Sequence, residues 1–260
     1  MTGRPMLQAA CLADLDRVRH GFFTRAGGVS RGEFASLNCG YSGGDDATLV
    51  ERNRALALER LGAAPGSLCT VRQVHGAAVV VARAAQPGRP GRRADALVTD
   101  RPGLTLGVLS ADCAPVLLAD RTAGVIGATH AGWRGALFGV VEATVEAMIG
   151  LGARPQRIRA AVGPCIAQGS YEVGPDLHRP VVAEDPESAP LFLPVAGGDR
   201  LLFDLKAYVL RRLARAGVRE RHALAEDTCA DEACFFSARR TRRRGDERFG
   251  LMLSAITLLD

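Results

Sequence analysis

The 260-residue sequence has one lysine, one tryptophan and only five histidines, and each scarcity narrows what the chain can do. With Lys206 as the lone lysine, the net charge of +5 is carried almost wholly by arginine. One dense cluster exists (Arg239, Arg240, Arg242, Arg243 and Arg244), and it has no aromatic residues interleaved. Nucleic-acid binders concentrate charge to neutralise phosphates, so a nucleic-acid partner is not expected. The plain reading of the cluster is a solvated, arginine-rich segment; holding an anionic substrate group is the other. Multicopper oxidase chemistry demands about ten histidines in paired motifs, which five cannot supply. His20, His178 and His222 lack such spacing and read as surface or structural residues.

No apolar run reaches membrane length without Gly, Pro or charge. Asp14 and Asp16 interrupt the N-terminus before a leader-like stretch can form, so a cytoplasmic protein with no membrane partner is expected. A disulfide framework is missing as well. Seven cysteines are an odd number without patterned spacing, which fits reduced thiols plus a ligand or nucleophile. Cys229 and Cys234 are spaced too widely for a zinc knuckle and have no partner pair. The cytidine-deaminase signature is absent too, since Pro164-Cys165 is followed by Gln168 where a second cysteine is needed.

What is present is an ordinary globular composition, 47% hydrophobic and 23% charged, with no repeat. A single domain over 1–260 is expected at this length. His20 to Arg25 reads as a strand before the turn-rich segment 26–32. A helix is expected from Ala47 to Leu61, capped by Asp45 or Asp46 and ended by Gly62. Thr70 to Ala82 reads as strand and 83–93 as exposed loop. Leu104–Leu109, Val116–Ala119, Gly124–Thr129 and Arg159–Val162 read as strands. Helices are expected over 136–149 and from Asp204 to about Ala216, with loops at 164–174 and 183–200. Short apolar strands alternating with amphipathic helices suggest sheets covered by helices.

Three ligand-type residues fall at strand ends: His75, Cys113 and His130. Two imidazoles and a thiolate match zinc's taste for nitrogen and sulfur donors, and three protein ligands leave a fourth position open for catalysis. The same atoms allow a thiol nucleophile, with Cys113 attacking, His130 as its base, and Asp112 or a backbone carbonyl orienting the imidazole. In the metal reading, Asp112 is the expected acceptor for a ligand imidazole. Arg134 offers a fork for phosphate or a surface salt bridge. Trp133 offers a stacking face for a purine or simple packing. Cys165 reads as a small buried residue.

The ordered segments Phe23-Thr24-Arg25-Ala26-Gly27-Gly28-Val29-Ser30, Ser36-Leu37-Asn38 and Gln73-Val74-His75-Gly76 carry a resemblance. So do Ser110-Ala111-Asp112-Cys113-Ala114-Pro115-Val116, His130-Ala131-Gly132-Trp133-Arg134-Gly135 and Gly163-Pro164-Cys165-Ile166. With Tyr171-Glu172-Val173 and Phe235-Phe236-Ser237-Ala238-Arg239-Arg240, they closely resemble the multicopper polyphenol oxidoreductase, or laccase-domain, family. The resemblance runs from about His20 to Ile256. It implies zinc-dependent purine nucleoside phosphorylase and adenosine deaminase activity, with purine nucleosides and phosphate as partners. The family's zinc ligands fall on His75, Cys113 and His130, where copper is possible too. Arg25 and Asn38 lie in loops that resemble the family's substrate-facing edge, satisfying a turn being the other reading of Asn38; with Gln73, Trp133 and Arg239 they are the candidate substrate-binding residues, and Asp112, Cys113, His130 and Arg134 are the candidate catalytic ones. The implied fold is α+β, one compact domain of mixed sheets sandwiched between helices, similar to the cysteine-hydrolase-like fold of deamidating toxins. Two positions depart from the family pattern: Ala238 replaces an aromatic or imidazole, and Leu251 stands where Arg is common. Arg248 or the 242–244 cluster is expected to compensate.

Overall fold

The run Ala114–Asp120 is apolar at nearly every position, and such a run is buried on both faces when it becomes a central strand. The computed structural model, which describes residues 4–86, 88 and 90–259, places it there. The chain begins with β1 (Met6–Leu7), α1 (Ala10–Ala13), β2 (Val18–Phe23) and α2 (Ala47–Leu61). It continues through β3 (Leu68–Cys69), β4 (Val79–Val81), β5 (Ala96–Thr99), β6 (Thr105–Ser110), β7 (Ala114–Asp120) and β8 (Val125–Ala131). Then come α3 (Trp133–Leu137), α4 (Val140–Gly150), β9 (Arg159–Val162), β10 (Glu172–Val173) and α5 (Pro175–Glu184). The last elements are β11 (Phe192–Pro194), β12 (Leu201–Phe203), α6 (Leu205–Arg215), β13 (Glu220–Ala223), α7 (Ala238–Arg243) and β14 (Met252–Leu258).

The strands form a five-stranded sheet, β1-β2-β14-β6-β3, a six-stranded sheet, β13-β9-β7-β8-β5-β4, and a small β10-β12-β11 sheet. Period-two alternation sorts the side chains into layers. Leu117, Ala119, Ile126 and Ala161 of the second sheet meet Phe22, Leu106, Val108 and Ile256 of the first in one apolar cluster. Val116, Leu118, Ala160 and Val162 point the other way, onto Val141, Val145 and Met148 of α4 and Val209 and Leu213 of α6. Phe23, Leu253 and Ala255, on the outer face of the first sheet, receive Ala57, Leu58 and Leu61 of α2. The order is helix, sheet, sheet, helix. This is the expected α+β arrangement of mixed sheets between flanking helices.

Local chemistry explains where elements stop. Asp46, not Asp45, caps α2 through a bond from the Thr48 N–H at 2.8 Å, and Gly62 closes it with φ at +67°. The helix expected over 136–149 is two: Gly139, at φ +87°, takes a left-handed turn between α3 and α4. Of the strand expected over 70–82, only β4 forms. Residues 74–76 give their N–H groups to Asp95 instead of to a neighbouring strand. The loop expected over 83–93 is non-strand where it is described; Pro87 and Arg89 lie outside the described residues. The loop expected over 183–200 holds a 3₁₀ segment and β11, with Ser188 and Phe192 buried. The arginine cluster is not a free tail. It forms α7, in which Arg240 donates to the Thr228, Cys229 and Phe235 carbonyls and Arg244 pairs with Glu232. All seven cysteines are unpaired thiols. Among the described residues, no helix is long and apolar enough to cross a membrane.

Candidate metal centre and pocket

Strand register gathers the ligand residues at one edge of the six-stranded sheet. Pairing of Ala114 with Ala131 sets Cys113, one residue before β7, beside the end of β8 that carries His130. Pairing of Ala96 with Thr129 sets Asp95 opposite His130. His75 lies in the loop entering β4, which pairs with β5.

The donor atoms of His75, Cys113 and His130 all lie within 4.8 Å of one another. Cys113 Sγ is 3.8 Å from His75 Nε2, and the two imidazoles stand edge to face with centroids 4.9 Å apart. A tetrahedral zinc, with sulfur at roughly 2.3 Å and nitrogen at roughly 2.0 Å, spaces such donors roughly 3.5 Å apart, so the set fits the ion. Copper competes for the same donors. Gly132 permits the approach: a Cβ there would meet Cys113 Sγ at 2.9 Å and His75 Cδ2 at 3.0 Å.

Burial pushes the Cys113 thiol up, but the charge of His130 and hydrogen bonds from both imidazoles outweigh it and bring the thiol down to about 6. His130 moves oppositely. Burial lowers its pKa, and the Cys113 thiolate with the Asp95 carboxylate raises it. The thiolate is the form that ligates and attacks. Cys165 offers a contrast, since burial, the largest influence on it, pushes it up to about 12.

The acceptor for His130 is Asp95, not Asp112. Asp95 Oδ1 lies 3.0 Å from His130 Nδ1. The Asp112 carboxylate accepts from Thr228 Oγ1 at 2.7 Å, Ser237 Oγ at 2.9 Å and the Arg239 N–H at 2.6 Å, so it tethers α7 to the Cys113 turn. A lone aspartate within Arg93-Ala94-Asp95-Ala96 carries no motif, and only the β5–β8 register reveals it.

The site opens into a pocket of about 910 Å³ lined by His75, Cys113, His130, Gln73, Trp133, Tyr171 and five arginines, Arg54, Arg72, Arg134, Arg239 and Arg242. Gln73 faces the pocket, but its amide is committed to both backbone groups of Leu109, at 2.7 and 2.8 Å. Arg134 is exposed and stacks on Trp133 at 4.9 Å instead of forming a salt bridge. Arg239 stacks on Tyr171 at 5.1 Å and donates to the Glu172 carbonyl. Tyr171, Arg54 and Arg72 were not singled out by their types, because an arginine within an amphipathic helix or loop gives no local signal.

Two expected substrate contacts fall outside the pocket. Asn38 is buried and spends its side chain on Gly40, Asp45 and the Leu251 N–H. Arg25 donates to the Ala35 and Glu232 carbonyls and lies over the Phe236 ring. Both brace loops, and neither lines the pocket. Of the arginines expected to compensate for Leu251, Arg248 pairs with Glu33 away from the pocket, and Arg242 lines it. Leu251 packs on Gly40, and Ala238 lines the same pocket.

Residues 19–259 match the family model described as multi-copper polyphenol oxidoreductase laccase. A purine nucleoside phosphorylase of Deinococcus radiodurans is 43% identical over 245 residues, covering 92% of this chain and 88% of the relative. The purine nucleoside phosphorylase YfiH of Escherichia coli is 36% identical over 238 residues, covering 91% and 92%. A crystal structure of a Neisseria meningitidis protein superposes with a TM-score of 0.88 at 35% identity, covering 99% of this chain and 100% of the other. The chain belongs to the multi-copper polyphenol oxidoreductase laccase family.

Proposed function

We propose that the chain is a zinc-dependent purine nucleoside phosphorylase acting on adenosine, inosine and methylthioadenosine, with adenosine deamination at the same site. The observation that carries this reading is the pocket's charge. Five guanidinium groups line the pocket that holds the metal donor set, and Asp112, the one lining carboxylate among the described residues, has its oxygens engaged within the protein. Glycosidase-type hydrolysis uses a pair of free carboxylates, and none is free among the described lining residues. A phosphate nucleophile needs cations instead.

In phosphorolysis the bond from the anomeric carbon to the purine nitrogen breaks and a bond to a phosphate oxygen forms. The phosphate proton passes to the departing base, giving free base and ribose 1-phosphate. Arg134 and Arg239 hold phosphate charge, Arg239 being fixed by Glu172 and Tyr171. Trp133 with its stacked Arg134 presents a flat wall for the purine. When bound at His75, Cys113 and His130, zinc supplies a Lewis acid to polarise an oxygen donor.

One observation favours a second reading. Cys113, His130 and Asp95 also form a thiolate–imidazole–carboxylate series, the arrangement of a cysteine-dependent amidohydrolase. A copper polyphenol oxidase is disfavoured by donor number. His20 accepts from the Ala9 N–H, His178 packs on Phe192 and His222 lies on β13, so none joins the trio. Chromatography of products from the three nucleosides, with and without phosphate, tests the proposal. Base release requiring both phosphate and metal supports it. Activity on amides that survives complete metal removal transfers the site to the thiol reading.

A further inference from the structure

Asp95 is fully buried, yet no arginine or lysine pairs with it among the described residues. A buried carboxylate without a cation is costly unless its oxygens are saturated by donors. Here they are. Oδ1 and Oδ2 accept from the Val74 N–H at 3.2 and 3.1 Å, Oδ1 from the His75 N–H at 2.9 Å, and Oδ2 from the Gly76 N–H at 2.8 Å. Oδ1 also meets His130 Nδ1 at 3.0 Å. Three consecutive N–H groups converge on this carboxylate because the backbone turns through the left-handed region at His75, with φ +59°. A non-glycine residue pays for that conformation only where something holds it.

The main chain of Asp95 is fixed from both sides as well. Its N–H donates to the Ala78 carbonyl at 3.0 Å, and its carbonyl accepts from the His130 N–H at 2.7 Å. One residue therefore grips His75 through its backbone and His130 through its ring, from the position just before β5, the strand between β4 and β8. The bond to Nδ1 places the His130 proton there and leaves the Nε2 lone pair for the pocket side.

We propose that Asp95 is the positioning residue of the metal centre, a single carboxylate that sets both the His130 tautomer and the placement of His75. The inference rests on the metal reading of the site, and its test separates the two. Zinc affinity is measured by chelator competition on wild type, Asp95→Asn and Thr144→Val. In the last, a buried bond between Thr144 and Thr129 at 2.9 Å is lost beside His130 without touching Asp95. Asp95→Asn replaces an acceptor oxygen with a donor facing donors, so zinc affinity falls about 10- to 100-fold. The cobalt-substituted variant shows an altered thiolate-to-metal absorption band. Thr144→Val lowers the melting temperature and leaves zinc affinity and the cobalt band unchanged.

Wild-type affinity in Asp95→Asn overturns the inference and leaves the metal reading standing. Wild-type protein that binds no zinc overturns the metal reading, and the inference falls with it. Should the variant fail to fold, ¹⁵N spectra of histidine-labelled wild type decide. A protected proton on His130 Nδ1 supports the role, and a proton on Nε2 overturns it.

Discussion

Cys113 and Cys165 show how environment separates two identical side chains. Cys113 faces two imidazoles that bring its thiol down to about 6, whereas burial pushes Cys165 up to about 12. Cys113→Ala is expected to abolish metal binding and activity together, while Cys165→Ala retains wild-type metal content by elemental analysis. Gly132→Ala makes a sharper demand, because its Cβ would press on both Cys113 and His75. We expect circular dichroism like that of wild type with metal occupancy well below one per chain; full occupancy would show that the ligands can shift aside. The ligand trio was legible in sequence because its residue types and motifs are distinctive. Asp95 was not, since its role depends on register across β5 and β8. Asn38 and Arg25 mark the converse case. A motif places a residue near a site without saying where its side chain points, and both point into loops.

At the scale of elements, legibility followed local chemistry. α2 matches its expected bounds because cap, apolar stripe and terminal glycine all agree. The 70–78 segment departs because a buried carboxylate competes for its N–H groups, a long-range contact that alternation cannot report. β14 has no turn or cap signal of its own and gains its place by pairing with β2 and β6. His20 on β2 gives this level a pH test. It is fully buried, its Nε2 accepts from the Ala9 N–H at 2.8 Å, and burial brings its pKa down to about 4. The folded pKa lies below the unfolded value of about 6.5, so the unfolded chain binds the proton first. The stability this group contributes is whole above pH about 6.5 and is lost as pH falls towards 4, by about 3 kcal/mol at most. Denaturant titrations at pH 7 and 4.5 should show a smaller loss in His20→Gln than in wild type. Equal losses would assign the acid sensitivity to other groups.

For the whole molecule, four layers bury the apolar surface away from the site, and the metal donors sit at a sheet edge. On the metal reading, an ion bound there adds to a fold already held by its core. Exhaustive chelation should end activity and lower the melting temperature, since a ligand at 1,000 times its Kd stabilises by about 4 kcal/mol. Far-ultraviolet circular dichroism at 25 °C should stay unchanged; loss of helix on chelation would make the metal structural. The layered architecture itself was readable from the apolar runs, because strands buried on both faces require cover on both sides. The pocket's charge was readable only in part: Arg134, Arg239 and Arg242 were candidates for an anionic group, whereas Arg54 on α2 and Arg72 in a loop join them only through the fold. That charge is what assigns phosphate as the proposed nucleophile. Phosphorus NMR of purified protein with inosine and phosphate tests it most directly. Ribose 1-phosphate should appear in step with hypoxanthine, and no hypoxanthine should form when phosphate is left out. Hypoxanthine released at the same rate without phosphate, with free ribose as its partner, would contradict it.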